Sequence, residues 1–133
     1  MLKLEIVTPE KRVLDADVDM VTVPTASGEA GILPEHAPLV SALKPGIMSY
    51  VVKGSSEKLA VSGGFVEVNS NKVAVLADAA EKAGDIDAAE ARRALDAAEK
   101  ELAEAASSSV EETEAIRNQI EAASARVTLA SGR

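Results

Sequence analysis

The sequence predicts an α+β fold, an N-terminal antiparallel β-sandwich followed by a C-terminal α-helical hairpin. Three observations carry this expectation. All five prolines lie at or before Pro45, and every glycine except Gly132 lies at or before Gly84. Alanine fills 14 of the 49 positions from Asp85 to Arg133. Apolar residues recur with a period of two before that boundary and at helical spacing after it. The expected division is a sandwich domain over residues 1–84 and a two-helix hairpin over residues 85–133.

Leu2, Leu4 and Ile6 alternate with Lys3 and Glu5, so one face of this segment is apolar. Val18, Met20 and Val21–Val23 form a second candidate. Ile47–Lys53, Leu59–Ser62, Phe65–Val68 and Val73–Leu76 follow. Turn signals separate them at Thr8-Pro9-Glu10, Pro24–Gly28, Gly54-Ser55-Ser56 and Asn69-Ser70-Asn71. Short strands at this spacing suit a sandwich or barrel. The Gly63-Gly64 pair predicts a bulge or a sharp bend between two strands.

The helices come next. Asp87 with Glu90, and Ser109 with Glu112, each carry the spacing of a capping box. Ala91, Leu95, Ala98, Leu102 and Ala105 share one face of the first helix. Ile116, Ile120, Ala123 and Val127 share one face of the second. Ser107-Ser108-Ser109 breaks the pattern, and a short break between amphipathic helices implies an antiparallel hairpin. Its seam of Leu95, Leu102, Ile116, Ile120 and Val127 is thin. Burying five large side chains does not offset the entropy of ordering so long a segment. The hairpin is therefore expected to need a docking surface and to be able to exchange one surface for another.

Composition narrows the function. The net charge is -8, which opposes binding to phosphate backbones, so no nucleic-acid partner is expected. There is no cysteine, which excludes disulfides and thiolate metal sites and suits a reducing compartment. Glu5 and Pro9 fall where a secretory signal would need an apolar run. No uncharged apolar run approaches the roughly 18 residues of a membrane span, so no direct membrane insertion is expected.

Catalytic and metal signals are weak. His36 is the only histidine, with no cysteine, no second histidine and no G-x-S-x-G elbow to work with. Asp15, Asp17 and Asp19 alternate as a solvated strand face does, without the turn of a calcium loop. Neither a P-loop nor G-x-G-x-x-G occurs. Glu111, Glu112 and Glu114 sit in the first turn of the second helix, where the helix dipole favours anions. The residues therefore point to binding or regulation, with no metal and no cofactor.

Three blocks then stand out in order: GEAGILPEHAPLVSALKPG (Gly28–Gly46), VSGGFVEV (Val61–Val68) and KVAVLADAAE (Lys72–Glu81). With the two-helix tail, they closely resemble the epsilon subunit of bacterial and chloroplast rotary F-type ATP synthase, the counterpart of mitochondrial delta. The resemblance covers nearly the whole chain. It implies a ten-stranded sandwich and a non-catalytic subunit of the central stalk, in a synthase driven by protons or sodium ions. The implied partners are the gamma subunit and the c-subunit ring, with the catalytic alpha/beta head as a third when the hairpin extends and restrains ATP hydrolysis. The implied location is peripheral, on the cytoplasmic face of the cell membrane, or on the stromal face of the thylakoid in a phototroph. Glu29 lies where the family touches the ring, and His36 lies in its His-Ala-Pro motif near the surface facing gamma and the ring. The prolines and glycines of this first block are expected to hold an irregular loop in one shape.

Some bacterial members bind ATP through Ile or Leu, then Asp, two variable residues, Arg and Ala. Here Ile86, Asp87 and Ala91 match, but Glu90 stands in the arginine position. Glu81, Ile86 and Asp87 are the residues such a site would draw on. A carboxylate repels phosphates where a guanidinium clamps them, and Arg92 and Arg93 lie on other helix faces. ATP as a regulatory ligand is therefore disfavoured. Val110–Arg133 carries three arginines against four glutamates, so only a weak grip on an acidic partner segment is expected. Two rival readings stand beside the rotor subunit: a nucleotide-sensing module acting through the hairpin, and an unrelated sandwich with a dimerising hairpin.

Overall fold

A computed structural model describes residues 1–105 and 108–131. The strands are β1 (Leu2–Val7), β2 (Arg12–Val18), β3 (Met20–Thr25), β4 (Gly28–Ile32), β5 (His36–Ala42), β6 (Gly46–Val52), β7 (Ser55–Val61), β8 (Gly64–Ser70), β9 (Lys72–Ala77) and β10 (Ala80–Lys82). They form two five-stranded sheets, ordered β2-β1-β9-β8-β5 and β10-β7-β6-β3-β4. A 3₁₀ turn over Ala83–Asp85 leads to α1 (Ala88–Glu104) and α2 (Val110–Ala130). The α+β sandwich-and-hairpin architecture is thus present. One strand pair departs from the expected antiparallel pattern. β1 and β9 run parallel, from Lys3 opposite Lys72 to Val7 opposite Leu76. These strands lie far apart in sequence, so the long crossover that a parallel pair requires is available.

The core is aliphatic and lies between the sheets. Leu2, Leu4 and Ile6 of β1 are fully buried, as are Val73 and Val75 of β9, Val21 and Val23 of β3, and Met48 of β6. The period of two puts each set on one face, and their outward neighbours, such as Lys3, Glu67 and Lys72, meet water. The Lys53-Gly54 turn joins β6 to β7 with φ of 50° and 82°, the left-handed pair that a two-residue hairpin turn uses. Gly63 and Gly64 make the expected bend as the chain crosses from the second sheet to the first. A Cβ on Gly64 would lie 2.0 Å from the Leu76 carbonyl oxygen, so only glycine fits.

Two expectations are corrected. The first block is not an irregular loop, because most of it forms β4 and β5. Pro38 is tolerated because β5 is the edge strand of its sheet, where a missing N–H breaks no ladder, and the register shifts between His36 and Leu39. The Val18–Val23 candidate is two strands in different sheets. Asp19 divides them: its N–H donates to the Val51 carbonyl at 2.7 Å, and its carboxylate accepts from the Lys53 N–H at 2.9 Å.

Both helix caps form as the spacing predicts. Asp87 accepts from the Glu90 N–H at 3.0 Å, and Ser109 from the Glu112 N–H at 3.2 Å. Of the expected serine break, Ser107 lies outside the described residues. α1 lies along α2, and α2 lies on β6 and β7 of the second sheet. At the expected seam positions Ile116 is buried, while Leu95, Leu102, Ile120 and Val127 are half-buried. The alanines Ala91, Ala98 and Ala123 are buried more fully than those four. A separate face of α2 carries Ala125 and Leu129, which pack with Ala60 of β7, Ile47 of β6 and Ile86. This is the docking surface that so thin a seam requires.

Candidate functional site

The two sheets present outer faces of different character. α2 covers the outer face of the second sheet at Ile47 and Ala60, residues directly opposite each other across β6 and β7. The outer face of the first sheet is uncovered by the helices and carries large apolar groups. Phe65 is 57% exposed, Leu76 47% and Val40 71%. Phe65 and Leu76 are cross-strand partners, and Val40 opposes Glu67, two residues along the same face of β8. Charges flank the patch. Glu5 lies 3.1 Å from the Lys72 ammonium and 3.9 Å from the Arg12 guanidinium. The hydrogen bond from Lys72 and its charge hold the Glu5 carboxyl below the usual glutamate range. A contiguous exposed apolar patch on a charged sheet marks an interaction surface.

Glu29 and His36 do not share a site. Glu29 is exposed in β4, opposite Pro24 and beside the β3–β4 turn. His36 opens β5 opposite Ser70, whereas the far end of β5 leads to Leu43, which bridges Thr25 near that turn. The two residues therefore mark opposite ends of the sandwich. His36 is half-buried, and its Nδ1–H donates to the Ala37 carbonyl at 2.7 Å. Beside it Glu35 adopts φ of 64°, and its N–H donates to Asn71 Oδ1 at 2.7 Å. This corner is shaped by these hydrogen bonds to the backbone.

The third feature is a cleft of about 360 Å³ between the end of the second sheet and the hairpin, with Ser62, Ala79, Glu81, Glu90, Ala122 and Arg126 in its lining. Arg126 of α2 reaches two carboxylates from two other elements. Its Nε lies 2.7 Å from Glu81 Oε1 of β10, and Nη2 lies 3.7 Å from Glu90 Oε1 of α1. Nη2 donates to Glu81 Oε2 at 3.4 Å. The Nε–H is buried and not aimed at its neighbour, so attraction between charges outweighs directed bonding here. Asp87 is occupied with capping α1, and Ile86 packs beneath Leu129. Arg92 pairs with Asp96 at 3.4 Å on the exposed side of α1.

Comparison with known proteins decides the family. The family model described as the ATP synthase delta/epsilon chain β-sandwich domain matches residues 1–83. The ATP synthase epsilon chain of Carboxydothermus hydrogenoformans is 54% identical over 102 residues, which span 77% of this chain and 76% of that relative. The chain belongs to the ATP synthase delta/epsilon family. A second epsilon chain, from Desulforamulus reducens, is 51% identical over 100 residues, 75% of this chain and 76% of the relative. Among solved structures, a chain of the Euglena gracilis mitochondrial ATP synthase superposes with a TM-score of 0.78 at 24% identity. That match covers 99% of this chain and 81% of the other. A chain of the Tetrahymena thermophila mitochondrial ATP synthase superposes with a TM-score of 0.54 at 21% identity, covering 63% and 68%. At such identities these two structures speak for the fold. As an epsilon-type chain, the protein is a non-catalytic subunit, and the chemistry belongs to the complex.

In this family setting, Arg126, Leu129 and the Val40–Phe65–Leu76 patch are the features that sequence reading missed. Strand alternation held a signal for the patch: Phe65 shares its outward register with Glu67 and Asn69. Among the described residues, no helix is long and apolar enough to cross a membrane.

Proposed function

We propose that the chain is a central-stalk subunit that joins the gamma subunit to the c-subunit ring, with its hairpin as a movable brake on ATP hydrolysis. The observation that carries this is the division of faces. The hairpin covers the second sheet, while the first keeps an exposed apolar patch that a partner can bury without moving the helices. Gamma is assigned to that patch. The ring is assigned to the end bearing Glu29, exposed and held by the β3–β4 ladder. The alpha/beta head receives the hairpin when α2 leaves β6 and β7. The two structural neighbours, described as F1/c-ring and central-stalk/c-ring assemblies, support this setting. The complex would sit peripherally on the cytoplasmic face of the cell membrane. The nucleotide-sensing alternative loses ground because two carboxylates already occupy the Arg126 guanidinium.

The test is co-purification. Wild-type chain should retain gamma and the c ring, and the double variant Phe65→Glu and Leu76→Glu should lose gamma while keeping its cooperative unfolding. Exposed positions tolerate the change, so the fold should survive. Full retention of gamma by the double variant would remove the patch from the interface.

A further inference from the structure

We infer that Glu81, Glu90 and Arg126 form an internal ionic latch that holds the hairpin on the sandwich without any nucleotide. The latch deepens the reading of the hairpin as the movable element and rests on that reading.

Arg126 is the one side chain of the trio carried by α2, the helix that docks. Its partners come from β10, the edge strand beside β7, and from the first turn of α1. One guanidinium therefore ties together the three elements whose relative placement defines the docked state. The apolar part of that docking is small: Ala60, Ala125 and Leu129, with Ile47 and Ile86 at its margin. So small a cluster leaves electrostatics a large share of the difference between docked and undocked. Burial adds weight, since the Arg126 side chain is 21% exposed and that of Glu81 33%. Removing one of two charges so placed leaves the other poorly solvated. Glu90 is 60% exposed and lies farther off, so it plays the lesser part.

The chemistry also identifies what the latch excludes. A polyphosphate entering this cleft would meet Glu81 and Glu90 before it gained Arg126. The two carboxylates supply internally the anion that the guanidinium would otherwise recruit. The hairpin of this chain is therefore closed by its own side chains, and ionic strength sets its position.

The test uses the isolated full chain, which contains no native cysteine. Cysteines at Ser56 of β7 and Ser124 of α2, both exposed, carry a fluorescent donor and acceptor. Wild-type chain should be docked without nucleotide. Arg126→Gln should lower the docked-to-undocked ratio roughly tenfold, and Glu81→Gln nearly as much. Glu90→Gln should lower it about twofold. Raising sodium chloride from about 0.05 to about 1 M should undock wild type and leave Arg126→Gln unmoved. Apolar docking alone gives no such loss in salt. If Arg126→Gln does not fold, the salt series on wild type decides. A wild-type ratio indifferent to salt, or an Arg126→Gln ratio equal to wild type, overturns the latch. Either result with intact gamma binding overturns the latch alone. Lost gamma binding by wild type overturns the rotor reading and leaves the latch standing.

Discussion

Glu90 shows how one side chain changes what a cleft accepts. It stands where ATP-binding relatives are expected to carry arginine, and it sits 3.7 Å from Arg126. Glu90→Arg would replace an anion by a second cation beside that guanidinium and create a phosphate clamp. Calorimetry at millimolar ATP should show little heat with wild type and clear binding with Glu90→Arg. Tight binding by wild type would mean that the carboxylates yield to phosphate. Glu29 belongs to the same scale. It is exposed on a paired strand with no salt bridge among the described residues, so Glu29→Arg should leave stability within about 0.5 kcal/mol of wild type. In membrane vesicles it should reduce ATP-driven ion pumping more than ATP hydrolysis, and unchanged pumping would remove Glu29 from the ring contact. Resemblance to the family motif marked Glu90 at once. It could not expose Arg126, because that residue's partners lie 45 and 36 positions away and meet it only through the docked hairpin.

Elements were legible wherever local pattern and tertiary demand agreed. β1 alternates cleanly because one of its faces is core, and both helix caps carried their own spacing. β4 and β5 were hidden because glycines and prolines dominate their composition, and only the edge position of β5 makes Pro38 acceptable. α2 was half-read. Its Ile116–Val127 face is the conspicuous stripe, while the face that meets the sheet is short, with only Ala125 and Leu129 in its cluster. The large buried core lies wholly between Leu2 and Ala77, and the hairpin adds only its separate small cluster. The segment Met1–Gly84 should therefore fold alone, with cooperative thermal unfolding and retained gamma binding. Baring Ile47 and Ala60 should cost about 2–3 kcal/mol. Loss of cooperativity would show that the helices belong to the core.

At the scale of the whole molecule, two sheet faces are proposed to carry two separate duties. One face is assigned to the rotor and one to the hairpin, so regulation can change without loosening the stalk. The docked hairpin is held by a small apolar cluster and one ion trio. A partner of modest differential affinity can therefore shift it. The most direct measurement is ATP hydrolysis by the assembled synthase carrying a cysteine pair at Ser62 and Ala122, which line the same clefts between sandwich and α2. Cross-linking should fix the docked form and raise hydrolysis to the level of enzyme truncated after Gly84. Reduction should lower it again, modestly, since α2 is slightly acidic. Equal hydrolysis in the cross-linked, reduced and truncated enzymes would contradict a regulatory hairpin.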